Sequence, residues 1–251
     1  MPSFDLLKQK KNTADKKFRQ CFLLEHNCWN EDTPEGRFYH TPDGNKYHSV
    51  TTFLSSLEED DSWFERWAEK LGGIDAANAE SERCANRGTG VHLALEHLLK
   101  NDPKPEHAGE YKFMYRQIER VLRMHVDDIH ALELPLWSNV MQLAGRVDCI
   151  AKYKGELAII DFKTATKDKL AKWITNYFLQ ATCYSLMLEE RYGLKAEKLV
   201  ILISVENSTE AQVFVRDRRD YTLLLAEKIK EFRHKLSQKK APTTTSIFDM
   251  V

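Results

Sequence analysis

The chain has 251 residues, 42% hydrophobic and 30% charged, with 10 glycines and 7 prolines, which excludes a collagen-like repeat, wholesale disorder and a disulfide scaffold. Lys and Arg number 37 against 38 Asp and Glu, yet the charge is segregated: residues 1–20 carry six bases against two acids, residues 31–82 thirteen acids against four bases, and residues 216–240 nine bases against four acids. No apolar run approaches the roughly 20 residues of a membrane span, and five cysteines without a CxxC pair read as free thiols, so the expectation is a soluble, unsecreted protein of a reducing compartment.

In chain order, Phe38 to Val50 reads as a hairpin around Pro42-Asp43-Gly44. Thr51 to Leu71 reads as helix in two pieces, with Phe53, Leu54, Leu57, Trp63, Phe64 and Trp67 on buried stripes. After Gly72-Gly73 a helical tract runs from about Ala76 to Lys100, with a bend expected at Gly88 and Gly90, and Glu106 to His130 reads as a further helix. The period then changes. Leu134 to Trp137, Val140 to Tyr153 and Glu156 to Lys163 read as strands, Tyr177 to Tyr192 as a helix closed by Gly193, Leu199 to Val205 and Ala211 to Val215 as strands, and Tyr221 to Leu236 as a last helix. The order implies an α/β or α+β fold.

The chemistry concentrates around one turn. If Lys154-Gly155 closes a two-residue hairpin, Tyr153 faces Glu156 and, in the same register, Asp148 faces Asp161, with Lys163 on the face of Asp161 because side chains alternate along a strand. Two facing carboxylates repel, and a hard divalent cation reverses that cost. Such an ion activates water and polarises a phosphoryl oxygen, while an adjacent lysine orients the water or offsets charge. His92 and Glu96, four apart on a helix, share a face beside the Val91, Leu95, Leu98 stripe, as Gln180 and Tyr184 do on a later helix.

Asp148 followed by Asp161-Phe162-Lys163 at the end of an apolar strand resembles the D…(D/E)xK signature of the PD-(D/E)xK nuclease superfamily. Gly88, His92 and Glu96 are similar to its helical GxxxHxxxE pattern, and Gln180 with Tyr184 to the QxxxY pattern of its RecB-like branch. Gly145 to Tyr153 with Asp161 to Thr164, together with Tyr47 to Thr52, resembles mitochondrial genome maintenance exonucleases and related phage exonucleases, over about Phe38 to Val205.

The resemblance implies a mixed sheet flanked by helices, with an N-terminal helical section that threads DNA ends through an arch. It implies catalytic roles for Lys163, Asp161, Asp148, His92, Gln180 and Tyr184, Gln180 bracing Lys163 or a phosphate. The implied ligands of a magnesium or manganese ion are His92, Asp148, Asp161 and Phe162, with Glu133 and Glu96 as further acids. Arg87, Gly88, Arg146, Lys172 and Trp173 are expected to line a substrate groove, with Gly88 and Gly90 freeing a helix start for phosphate. The absence of cysteine after Cys183 argues against the iron–sulfur cluster of some relatives, and no Walker A loop is present for ATP.

The expected function is a metal-dependent DNA exonuclease acting on single strands or frayed ends, in replication, recombination, repair or degradation. The rivals are an endonuclease or flap nuclease with the same site, and a catalytically silent nucleic-acid-binding module. The expected location is the cytoplasm, of a host if the protein is phage-encoded, ahead of the mitochondrion, with a replication or recombination protein as a further partner. The expected organisation is a basic arm and lead-in over 1–37, one nuclease domain over 38–236 with arch section 51–130 and sheet core 131–215, and a flexible tail over 237–251. Residues 1–20 are expected to retain DNA non-specifically or dock a partner.

Overall fold

The computed structural model describes residues 16–57, 62–103 and 111–240. A hairpin comes first, β1 (Trp29–Thr33) with β2 (Gly36–His40), which turns at Pro42-Asp43-Gly44 into β3 (Lys46–Ser49). Ser49 caps α1 (Val50–Ser55), its hydroxyl accepting from the Thr52 amide at 2.9 Å. α2 (Trp63–Leu71) ends at left-handed Gly72, and α3 (Ile74–Lys100) and α4 (Lys112–His125) follow. The meander β4 (Val126–Ser138), β5 (Leu143–Tyr153) and β6 (Glu156–Ala165) leads to α5 (Thr175–Tyr192), β7 (Lys198–Val205), β8 (Gln212–Asp217) and α6 (Arg219–Lys240).

All eight strands join one mixed sheet. β6 and β7 run parallel with α5 as their crossover, and β8 returns antiparallel on the edge. β4 covers one edge of β5 from end to end. The other edge is shared: β6 pairs with Cys149 to Tyr153 and β3 with Leu143 and Ala144. Residues 145–148 lie between these two ladders. The sheet is buried on both faces. One core gathers α1, α5 and α6 around residues such as Phe53, Phe178 and Ile201; the other packs α3 and α4 through Val91, Leu95, Ile118 and Leu122 on Cys149, Ile160 and Val200.

Several expectations change here. The helix assigned to Glu106–His130 ends at His125, because Val126 begins a 13-residue strand that pairs with β5; residues 104–110 of that expectation lie outside the described residues. β1 is an additional strand whose polar sequence, Trp-Asn-Glu-Asp-Thr, hides its period, and pairing with β2 decides it. α3 is one continuous helix, so Gly88 and Gly90 sit in its interior and free no helix start; a Cβ on Gly90 would lie 2.6 Å from the Tyr111 ring, so the glycine admits that aromatic. The stripe expected to bury Trp63 leaves it open to solvent: Trp63 is 51% exposed, meeting the Phe64 ring edge-on and the Trp67 ring at a tilt.

The amino-terminal expectation also shifts. Residues 1–15 and 241–251 lie outside the described residues, but from Lys16 onward the chain is knitted to the fold. Phe18 is buried in the α3/α4 core, its backbone exchanges hydrogen bonds with the Asn101 side chain at 2.8 and 2.9 Å, and Arg19 pairs with Asp128. A docking arm spanning all of 1–20 is therefore replaced, over 16–20, by a structural segment. Phe18→Ala should cost about 3 kcal/mol by cavity formation, a fall of roughly 6–12 °C in melting temperature at this chain length; a melt unchanged within 2 °C would show that the segment is peripheral.

Candidate active site

The β5–β6 turn at Lys154-Gly155 takes the register expected of it. Tyr153 pairs with Glu156 and the ladder continues to Cys149 opposite Ile160. Asp148 and Asp161 are the next positions, and there the ladder gives way to a side-chain bond: Asp148 Oδ2 accepts the Phe162 amide at 2.8 Å. On the other side of β5, Leu132 pairs with Cys149 and Leu134 with Val147, so Glu133 is the position across from Asp148. Three acids from three adjacent strands thus centre on Asp148. Glu133 has φ +50°, a left-handed backbone that a non-glycine residue adopts at a cost; the register runs unbroken past it and through Pro135, the shifts in β4 lying between Asp127 and Ala131.

α3 supplies the fourth group. Val91, Leu95 and Leu99 are wholly buried, which fixes the neighbouring face of the helix over the sheet. His92 Nε2 meets the Phe162 carbonyl at 2.8 Å and Nδ1 stands 3.7 Å from Asp148 Oδ2. With the hydrogen on Nε2 given to that carbonyl, the neutral ring offers an Nδ1 lone pair. His92, Glu133 and Asp148 each present a donor atom, all within 4.8 Å of one another.

Asp161 is 1% exposed. Its Oδ1 accepts from the Lys163 ammonium at 2.8 Å; Oδ2 lies 2.7 Å from the same nitrogen without a hydrogen bond of good geometry, a buried acceptor left short of a partner. Burial pushes Asp161 above the usual carboxylate range, against the pull of Lys163. Burial alone would lower Lys163, but Asp161 and Asp148 outweigh it and hold the ammonium charged. Glu133 is pushed up to about 7 by burial and then by Asp148. Two carboxylates and an imidazole, beside a buried acid with an unsatisfied oxygen, form a hard donor set that fits a divalent cation.

The remaining expected residues divide. Gln180, expected to brace Lys163 or a phosphate, donates to the Tyr184 hydroxyl at 3.4 Å, and Lys163 lies over the Tyr177 ring at 5.2 Å. Tyr184 is buried with its ionisation pushed well up by burial, and its ring fills the place of a Gly145 Cβ, 2.8 Å from Cε1, which explains the glycine before Arg146. Gly88 and Arg146 line an open cleft of about 580 Å³ with His92, Glu96 and Glu133; Glu96 there pairs with Lys100 at 2.6 Å.

Arg87 does not belong to that cleft. It is 3% exposed and spends its guanidinium on Thr164, Thr166 and Glu206, tying α3 to the sheet. Lys172 and Trp173 are exposed on the turn before α5 and are not among the residues lining the cleft. Arg37, Thr89 and Leu93 do line it and were not anticipated. Thr89 and Leu93 were legible from their spacing around His92; Arg37 had no local signal.

The family follows from this fold and site together with comparison. Residues 110–246 match the model of the PD-(D/E)XK nuclease superfamily, more than half of the chain, and the protein belongs to that superfamily. It is similar to mitochondrial genome maintenance exonuclease 1 of Mus musculus, 25% identical over 79% of this chain and 62% of that protein, and to that of Homo sapiens, 25% identical over 67% and 52%. The chain thus spans from about half to just over three fifths of those relatives. The crystal structure of SSO0001 aligns with 72% of this chain and 81% of that one at 17% identity, with a TM-score of 0.34 too low to support any argument. Among the described residues no helix is long and apolar enough to cross a membrane.

The raised Glu133 carries a pH prediction for metal-free protein. A carboxyl whose folded pKa of about 7 exceeds its ordinary 4.5 binds its proton more tightly in the native state, so its stabilisation is full below 4.5 and is lost as pH rises through 7. Glu133→Gln, neutral throughout, should melt with wild type at pH 4. At pH 8, with chelator, it should melt several degrees higher, a gain on the order of 2 kcal/mol after solvent screening. Equal differences at both pH values would show that Glu133 is not held neutral by its site.

Proposed function

We propose that the protein is a divalent-metal-dependent DNA exonuclease, acting on single-stranded or frayed ends in DNA replication, recombination, repair or degradation. The observation that carries this reading is the convergence of His92, Glu133 and Asp148 within 4.8 Å at an open cleft, next to the Asp161–Lys163 ion pair. The named relatives, exonucleases that share 25% identity with the chain, support the exonuclease part of it.

In this reading His92, Glu133 and Asp148, with Asp161 beside them, hold magnesium or manganese. Bound there, the ion lowers the pKa of its water and polarises a phosphoryl oxygen. Lys163, kept charged by Asp161 and Asp148, acts as a hydrogen-bond donor and cation toward the attacking water and the developing charge on phosphate, rather than as a base. Asp161 aims the ammonium. His92 holds the Phe162 carbonyl and so fixes the turn of β6 that carries both. Tyr184, too reluctant an acid to ionise, remains a donor at the floor of the site, and Arg146 meets the substrate's phosphates in the cleft.

Asp161→Ala should lower hydrolysis of a labelled oligonucleotide by several orders of magnitude with DNA binding retained; more than about a tenth of wild-type rate, roughly 1.4 kcal/mol of barrier, would overturn the site. Lys163→Arg should lose most turnover while manganese binding, read by calorimetry, is kept, because the broad guanidinium cannot take the place of a compact ammonium. Chelator should abolish nucleotide release and manganese restore it. Cleavage of circular single-stranded DNA would replace the exonuclease by an endonuclease, and chelator-insensitive binding without nucleotide release would leave a silent binding module.

A further inference from the structure

The cleft contains an arginine that comes from the far end of the chain. We propose that Arg37, on β2, is a phosphate-binding residue of the substrate cleft, gripping a backbone phosphate of a nucleic-acid strand alongside Arg146. The proposal rests on the nuclease reading and extends it to the amino-terminal hairpin, which lies outside the residues matched by the superfamily model.

Topology brings it there. β3 runs parallel to β5 through His48–Leu143 and Ser49–Ala144, immediately before the stretch 145–148, which holds Arg146 and Asp148 and is paired on its β4 edge alone. β2, paired to β3, therefore borders the same opening, and Arg37 lines it with His92, Glu96, Glu133 and Arg146.

The backbone at Arg37 is fixed. Its amide donates to Thr52 Oγ1 at 2.9 Å, and the Thr52 hydroxyl returns a bond to its carbonyl at 3.3 Å. Gly36 has φ +115°, and a Cβ there would come within 2.5 Å of Thr52 Cγ2, so the glycine is what lets the strand sit against the capped end of α1.

The guanidinium is oriented as well as charged. Asp32, its partner in the hairpin register, accepts from Nε at 2.7 Å and from Nη2 at 3.0 Å, which leaves Nη1 without a partner among the described residues. An arginine steadied along one edge presents the other as a flat donor pair, the geometry that suits phosphate oxygens. The cleft's charge calls for such a group: Glu96 and Glu133 line it, and Arg37 and Arg146 are the arginines that oppose them. A cation held by the acids would serve the reacting phosphate. A neighbouring phosphate needs its own counter-charge against those carboxylates.

The test is binding of a fluorescein-labelled oligothymidylate, followed by anisotropy with chelator present and repeated across a salt series. Arg37→Ala should weaken binding about tenfold and reduce the slope of log K against log salt by roughly 0.7, the loss of one phosphate contact on a single strand. Arg37→Lys should lose less and keep the slope. Lys46→Ala, an equal charge change in the same hairpin at a residue that does not line the cleft, should do neither. In steady-state cleavage with manganese, Arg37→Ala should raise KM with kcat within a few-fold. If Arg37→Ala melts early, Arg37→Gln, which keeps a donor for Asp32, takes its place. An unchanged affinity and slope in the neutral variant, or an equal loss in Lys46→Ala, overturns the assignment of Arg37 while wild type still hydrolyses DNA. A wild type that neither binds nor hydrolyses the oligonucleotide overturns the nuclease reading itself.

Discussion

Three carboxylates crowd one point of a sheet interior, and the arrangement around them follows from the need to keep that point from flying apart. Glu133, Asp148 and Asp161 come from adjacent strands, with Glu133 lining the cleft and Asp161 buried. Each is met differently: Asp161 by the Lys163 ammonium, Asp148 by the Phe162 amide, Glu133 by retention of its proton near neutral pH. Without a cation the last of these is the costly one, because it asks an acid to stay neutral at a pH where its solvated form would ionise. Positive charge placed among these carboxylates would relieve that cost.

The gap in the sheet is what makes such crowding available. Along one edge of β5, β6 ends its ladder at Cys149 and β3 takes it up again only at Ala144. Between them β5 keeps its pairing with β4 but has no strand partner on this edge, and the Asp148 carboxylate takes the Phe162 amide there. Rigid elements hold the edges of the gap. α3 is pinned above it by its buried leucines and by Arg87 reaching Glu206 at the end of β7, and α5 closes it below through Tyr184 lying against Gly145. The site's precision is borrowed from two hydrophobic cores.

The amino-terminal hairpin completes the cleft from outside this frame. Its contribution depends on a parallel pairing of only two residue pairs, His48–Leu143 and Ser49–Ala144, reinforced by Ser49 and Thr52 at the start of α1. On α2 Trp63 is exposed and Phe64 and Trp67 are only half-buried, so helical propensity and aromatic content do not by themselves predict burial; Ala68 is the residue that helix buries.

What the sequence by itself determined was local. The Lys154-Gly155 turn sets the β5–β6 register, and from that register alone the neighbourhood of Asp148, Asp161 and Lys163 could be read, because turn geometry fixes every pair that follows it. Helical spacing likewise set His92 beside Glu96 and Gln180 beside Tyr184. Tertiary structure decided everything carried by contacts distant in the chain. It buried Arg87, which looks like a groove residue until Glu206 and Thr164 arrive to satisfy it, and it turned Phe18 into core. It bent Glu133 into the cluster through a left-handed residue that no period announces, and it brought Arg37 to the cleft across more than a hundred residues. Local geometry is written in neighbouring side chains; the company a charged group keeps depends on which distant surfaces the hydrophobic cores force together.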